Sequence, residues 1–295
     1  MRISLIDVDS KIPNLALMKI SAYHKAKGDI IDFNLSNPDK IYSSIVFTKN
    51  KGKANNGSID NVERVFGGSG FSFDSCLPDE IEFIKPDYDL YPSIYSQGFS
   101  TRGCNRNCYF CFVPRKEGCF KLWQHPKEFY DDRFKSMMLI DNNIFWDRNW
   151  FLSIAQWSMD QGVKIDMTQG YDIRLLDEEL LGYVLDVRDK SCMLKFAFDD
   201  IKLEGVIRNK IDMLKDAGVN TKNDVAFYVY CDNDLMHDDA LYRAKLLKSL
   251  RVNADVMWNC ERTKTDRIKN LLKWSWRKPL FWSVEYEDYS KLLHT

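Results

Sequence analysis

No uncharged stretch of about 18 residues occurs anywhere in the 295-residue sequence, which excludes a membrane-spanning helix of ordinary length. Neither sign of charge is in excess. The 42 lysines and arginines nearly cancel the 43 aspartates and glutamates, so no global field draws the chain to nucleic acid or membrane, although local patches stay open. Cysteine is too sparse for a disulfide scaffold, with eight residues of which Cys76, Cys119, Cys192, Cys231 and Cys260 are scattered, and a reducing compartment is expected. There is no solenoid-type repeat and no low-complexity tract. The opening MRISLIDVDS carries an apolar run too short for a signal peptide, so the expectation is a soluble, cytoplasmic protein with no membrane partner. What the sequence does have is core material: 45% hydrophobic and 14% aromatic residues, enough for one large α/β unit and an appended small one.

The organisation follows from periodicity. ISLIDV reads as a strand, and residues 14–27 as a helix with Leu15, Met18 and Ala22 on one face and Gly28 at its end. The short apolar runs IIDF, IYSSIVF and NVERVFGG follow, which together predict a small parallel, Rossmann-like α/β domain over residues 1–75. Residues 76–92 carry three prolines between Cys76 and Pro92 and no periodicity, and are expected to be a linker. From residue 93 to 260 strands and helices alternate. SIYSQGF, MMLIDNN, VKIDMTQ, CMLKFAFDD, DVAFYVYC and ADVMWNC read as strands. PKEFYDDRF, DRNWFLSIAQWSMDQG, DEELLGYVLDVR, LEGVIRNKIDMLKDAG and HDDALYRAKLLKSL read as helices. Six strands with helical crossovers predict a partial (β/α)6 TIM-like barrel, two strands short of a closed one. In such a sheet the chemistry gathers in the loops after the strands.

The loop after the first of these strands holds Cys104, Cys108 and Cys111 within eight positions. Thiolates are soft ligands for zinc or iron-sulfur clusters, and C-x3-C-x2-C lets one tight loop aim three sulfurs at a point. With Cys119 added, the spacing C-x3-C-x2-C-x7-C also supplies the four sulfurs of a zinc site, although the second paired spacing usual for zinc ribbons is missing. Cys119 alone reads equally as a small hydrophobe.

C-x3-C-x2-C with the aromatic Phe110 just before the last cysteine, placed after strand one of a β/α array, resembles the radical SAM enzymes. The resemblance covers about residues 93–260. It implies a [4Fe-4S] cluster on Cys104, Cys108 and Cys111, bound S-adenosylmethionine, and one-electron cleavage to a 5′-deoxyadenosyl radical that takes hydrogen from a substrate. It further implies an electron donor of flavodoxin or ferredoxin type and places Phe110 near the adenine. Arg102 and Arg106 are expected to raise the cluster's potential or orient it. A second reading from another class is a non-catalytic zinc or iron-sulfur protein that keeps the fold.

Other strand ends enter as candidates by position. The family's motif after strand two, which holds the methionine amino group, corresponds here to Asp141, Asn142 and Asn143, without glycines. TQGYDIRLL after strand three is similar to an N-Q-G-x-D-x-R-L-L pattern in which Gln169, Gly170, Asp172 and Arg174 match and Thr168 replaces the asparagine. Asp199 and Asp200 end strand four, Asp232 and Asn233 strand five, and Asn259, Cys260 and Glu261 strand six; Asp199 joins the cofactor-binding candidates. The plain alternative for each is a cap or turn.

Residues 1–75 also resemble the cobalamin-binding domain of one large subgroup, but the ligating motif D-x-H-x-x-G is absent, and no cobalamin is expected. His24, the only histidine of that segment, falls mid-helix and is expected on the surface. At the other end, residues 261–295 interleave basic residues with Trp274, Trp276 and Trp282. Such a stretch can bind RNA, or can form an amphipathic helix that seals the open edge of the sheet.

Overall fold

The computed structural model describes residues 1–55, 62–259 and 262–292, so Cys260 and Glu261 lie outside the described residues. The chain is a mixed α/β protein with parallel sheets, and it divides into two compact units, Met1–Asp141 and Asn142–Thr295. The division falls inside the stretch expected as a single barrel. Within neither unit do the described strands close into a barrel.

The first unit opens with strand β1 (Arg2–Asp7), helix α1 (Leu15–Ala26), β2 (Ile30–Phe33), β3 (Lys40–Ser44) and β4 (Glu63–Gly67). They form a four-stranded parallel sheet in the order β2-β1-β3-β4, with Ile3 opposite Ile31 on one side and Lys40 on the other. Helix α1 starts at Asn14 because its side chain accepts a hydrogen bond from Leu17 N at 3.2 Å, capping an otherwise orphaned donor. Ile3 and Leu5 are wholly buried against Leu17 and Ile20, each such side chain contributing about 1.5–3 kcal/mol of hydrophobic stabilisation.

Two sequence readings are corrected here. His24 is buried, not superficial: its ring bonds Asp29 Oδ2 at 2.7 Å and the Tyr42 hydroxyl at 3.2 Å, tying the helix to the sheet. Residues 76–92 are packed and not a bare linker. They contain helix α2 (Asp79–Glu82), Ile81 joins the core with Leu77 and Leu90 against it, and Glu82 neutralises the buried Lys19 of α1 at 3.2 Å. A charge shut from water requires such a partner, and that requirement holds the segment down.

The remainder of this unit comprises β5 (Ser96–Gly98), β6 (Thr101–Arg102), helix α3 (Val113–Glu117), β7 (Lys121–Leu122) and β8 (Ser136–Leu139). β5 and β8 pair in parallel, with Gly98 opposite Leu139. The helix expected over PKEFYDDRF is only a 3-10 turn at Pro126–Glu128, since the apolar residues there lack a sustained helical period.

The second unit runs α4 (Arg148–Gln161), β9 (Lys164–Asp166), α5 (Glu178–Val187), β10 (Leu194–Ala197), α6 (Glu204–Asp216), α7 (Thr221–Asp224), β11 (Val225–Tyr230), α8 (His237–Ser249), β12 (Asn253–Met257), α9 (Asp266–Trp276), α10 (Lys278–Ser283) and α11 (Tyr286–Leu292). β10, β11 and β12 form a parallel sheet, with Tyr228 between Ala197 and Asp255. One face of it is apolar, with Phe196, Phe198, Phe227, Val229, Ala254 and Val256 all buried. The alternate positions put Lys195, Tyr228 and Asp255 on the other face. The tryptophans of the C-terminal stretch cover the edge: Trp274 is fully buried, Trp276 Nε1 donates to Val256 O at 2.7 Å, and Trp282 Nε1 to Asn253 Oδ1 at 3.0 Å. An open sheet edge needs such a cover.

Candidate functional site

The three cysteines sit on a loop whose ends are tied together. After β5 the chain enters β6, which pairs antiparallel with β7 (Thr101 opposite Leu122, Arg102 opposite Lys121), and Trp123 N reaches Ser100 O at 2.9 Å. Residues 103–120 are thereby held as a loop on a short two-stranded neck. Glu117 reinforces it, accepting from Gly103 N at 2.9 Å and lying 3.6 Å from Arg102 Nε. Arg102 rests its guanidinium 3.9 Å above the Phe99 ring.

Beneath the neck lies Asp141, just after β8 and fully buried. Its carboxylate accepts from Ser100 N at 3.2 Å and Ser100 Oγ at 2.8 Å, and from the backbone N–H and the hydroxyl of Thr101. Burial pushes this carboxyl up to about 6, with the four hydrogen bonds pulling the other way. The structure therefore gives Asp141 a role in holding the start of the neck, with no exposed oxygen turned to solvent.

Within the loop, Gly103 has φ +74°, and a β-carbon there would meet Cys119 O at 2.1 Å, so only glycine lets the two legs approach. Cys104 N donates to Gly118 O at 3.2 Å, Phe120 N to Asn105 Oδ1 at 3.0 Å, and Cys111 N to Cys108 O at 3.0 Å. Phe112 stacks on Phe73 at 5.5 Å, and Phe110 packs edge-on to Tyr109 at 5.2 Å. Cys104, Cys108 and Cys111 are each partly accessible, while Cys119 is exposed. A cavity of about 310 Å³ is lined by Cys104, Asn105, Asn107, Pro114, Gly118 and Cys119. Among the described residues no three His, Cys, Asp or Glu side chains are gathered at metal-holding distance, so the thiols share a loop without converging.

The remaining candidates belong to the second unit. Asn142 is half-buried; Asn143 is buried, its Oδ1 taking the Asp172 N–H at 3.4 Å. Gln169 is half-buried in the loop between β9 and α5. Next to it Gly170 has φ +91°, with the Tyr228 ring 2.6 Å from where a β-carbon would lie, and the Tyr228 hydroxyl donates to Thr168 O at 3.0 Å. Arg174 is held in a fork by Asp172, Nε to Oδ1 at 2.7 Å and Nη2 to Oδ2 at 2.9 Å. Asp199 accepts from Tyr230 N at 2.8 Å; burial raises its carboxyl, against that hydrogen bond and the charges of Arg243 and Arg174. Asp200 and Asn233 are caps, accepting from Lys202 N at 2.9 Å and Leu235 N at 3.0 Å.

Two residues of consequence escaped the sequence reading. Glu117 locks the neck, and its only signal is its place at the end of the cysteine loop. Arg243 is completely buried and joins the ends of two strands, donating to Phe198 O at 2.6 Å and Tyr230 O at 3.1 Å while Asp239 pairs with its Nε at 2.9 Å. The i,i+4 spacing of Asp239 and Arg243 on a helix is the visible hint.

In comparison with known proteins, no family model and no curated protein matches the chain.

Proposed function

We propose that the chain is a radical SAM enzyme, holding a [4Fe-4S] cluster on Cys104, Cys108 and Cys111 and using S-adenosylmethionine to remove hydrogen from a substrate. The observation that carries the reading is the placement of three thiols on one neck-held loop that directly follows a parallel strand. Their donor chemistry fits such a cluster, being all sulfur and accessible from solvent. Three sulfurs on four irons leave one iron for a further ligand. When bound, the cluster supplies the single electron that splits the sulfonium.

The chain's own residues prepare the loop. Asp141 fixes its entry, Glu117 binds Gly103 N to the neck, and a turn closed by Cys111 N on Cys108 O joins those two positions. Arg102 places a cation at the neck, where it favours an electron-rich neighbour. Gln169, Arg174, Asn142, Asn143 and Asp199 are the positions that the resemblance and their place at strand ends assign to S-adenosylmethionine, and Asp172 orients the Arg174 guanidinium. An electron donor of flavodoxin or ferredoxin type completes the system, and RNA is among the substrate classes compatible with the basic C-terminal stretch.

Anaerobic reconstitution with iron and sulfide, followed by a strong reductant and S-adenosylmethionine, tests this. The expected result is a brown protein that accumulates 5′-deoxyadenosine, with both colour and product lost in Cys108→Ala. Stoichiometric zinc without iron in anaerobically purified protein would instead favour the non-catalytic metal-binding reading.

A further inference from the structure

The thiol that the proposed cluster does not use lies across the neck from one that it does. The β6–β7 ladder pairs Thr101 with Leu122 and Arg102 with Lys121, and beyond it the two legs stay in contact one step out of that register. The backbone confirms the close approach on these legs: Cys104 N bonds Gly118 O at 3.2 Å, and the Gly103 α-carbon lies against the Cys119 carbonyl. Cys119 directly follows the residue whose carbonyl Cys104 N bonds, and legs in such backbone contact come within reach of the roughly 4.4–6.8 Å between α-carbons that a disulfide spans. Both side chains line the same cavity of about 310 Å³, Cys119 is exposed and Cys104 partly so, leaving room for a reagent to enter.

We propose that Cys104 and Cys119 close a disulfide across the neck when no cluster is bound, a reversible redox modification that removes Cys104 from the ligand set. The oxidant is a low-molecular-weight disulfide. The thiolate of the exposed Cys119 attacks its S–S bond and expels one thiol, leaving a mixed disulfide; the Cys104 thiolate then attacks the Cys119 sulfur and expels the second. Two protein thiols are oxidised, one reagent disulfide is reduced to two thiols, and the two protons leave with them. The covalent bond stands on the neck geometry alone, whereas its effect on iron uptake rests on the function proposed above.

Trypsin separates the positions cleanly, because Cys104 falls in peptide 103–106, Cys108 and Cys111 in 107–115, and Cys119 in 117–121. The full chain, freed of metal by a chelator, is treated with oxidised glutathione, alkylated and mapped by mass spectrometry without reduction. The expected product is 103–106 joined to 117–121, abolished by dithiothreitol and absent from Cys119→Ser. Peptide 103–106 joined to 107–115, or Cys104 and Cys119 both alkylated, overturns the proposal. In a parallel arm the oxidised chain is expected to take up about tenfold less iron than the reduced one, with Cys119→Ser resisting the loss. Equal loss in Cys119→Ser overturns the claim that the Cys104–Cys119 bond is what blocks iron uptake. If the reduced chain takes no iron either, the cluster reading fails while the peptide map still decides the disulfide.

Discussion

Gly103 and Cys119 touch: the α-carbon of one lies so near the carbonyl of the other that a methyl group would sit 2.1 Å from the Cys119 oxygen. The neck of the cysteine loop closes through this contact. Gly103→Ala combines a backbone penalty at φ +74° with a clash against backbone, which has no rotamer to yield, and is expected to cost on the order of 2–4 kcal/mol locally. Hydrogen exchange should show the amides of Cys104 and Phe120 losing protection, and unchanged protection at both would refute the neck's dependence on glycine.

Asp141 makes stability depend on pH in an unusual direction. Its carboxyl is raised from an ordinary 3.8 to about 6, so between those values the folded chain binds a proton that the unfolded chain has released. The stabilisation from the protonated form is present below about pH 4 and is lost as pH rises through about 6, a change of about 3 kcal/mol. Asp141→Asn keeps an acceptor for the Ser100 and Thr101 amides and cannot titrate. Urea titrations across pH 4–7 should therefore show the difference in stability between the two proteins sloping over that window and flat above it. A difference independent of pH would sink the assignment.

Much of the second unit is legible from its apolar pattern: α4, α5, α6 and α8 and strands β10 to β12 all lie where that pattern puts them, the helices as apolar stripes and the central β11 as a run buried on both faces. The tying of the cysteine loop is not legible, because it depends on a two-residue ladder and on a carboxylate 40 residues from Thr101. His24 and Lys19 illustrate the same limit. A polar residue on a helix reads as solvated unless its partner is known, and their partners, Asp29 and Glu82, come from other segments. The cysteine spacing identifies three candidate ligands, but side-chain convergence is a property of the folded loop that no spacing encodes.

Arg243 replaces water for two strand-end carbonyls at once, and losing it strands both. Arg243→Ala leaves the Phe198 and Tyr230 carbonyls without their buried donor, while the half-exposed Asp239 turns to water, so a loss of about 2–4 kcal/mol is expected. Arg243→Lys should recover less than half of it, because an ammonium cannot fork between two carbonyls. Chemical denaturation decides the point: near-wild-type stability of the lysine variant would show that charge alone, and not the planar fork, joins the strand ends.

Gly170 and Tyr228 form the second close contact, and here the obstructing atoms belong to a side chain. The ring is held by its hydroxyl on Thr168 O at 3.0 Å and by Lys195 at 4.9 Å, so an added methyl must either push it off both or distort the Gln169 loop. Gly170→Ala should cost about 2–3 kcal/mol, part from φ +91° and part from the ring. Tyr228→Ala removes only the second part. In a double-mutant cycle the pair should therefore be less destabilising than the sum of the singles by about 1 kcal/mol or more. Strict additivity would mean that the ring moves freely and that the loop carrying Gln169 and Arg174 is not positioned by Tyr228.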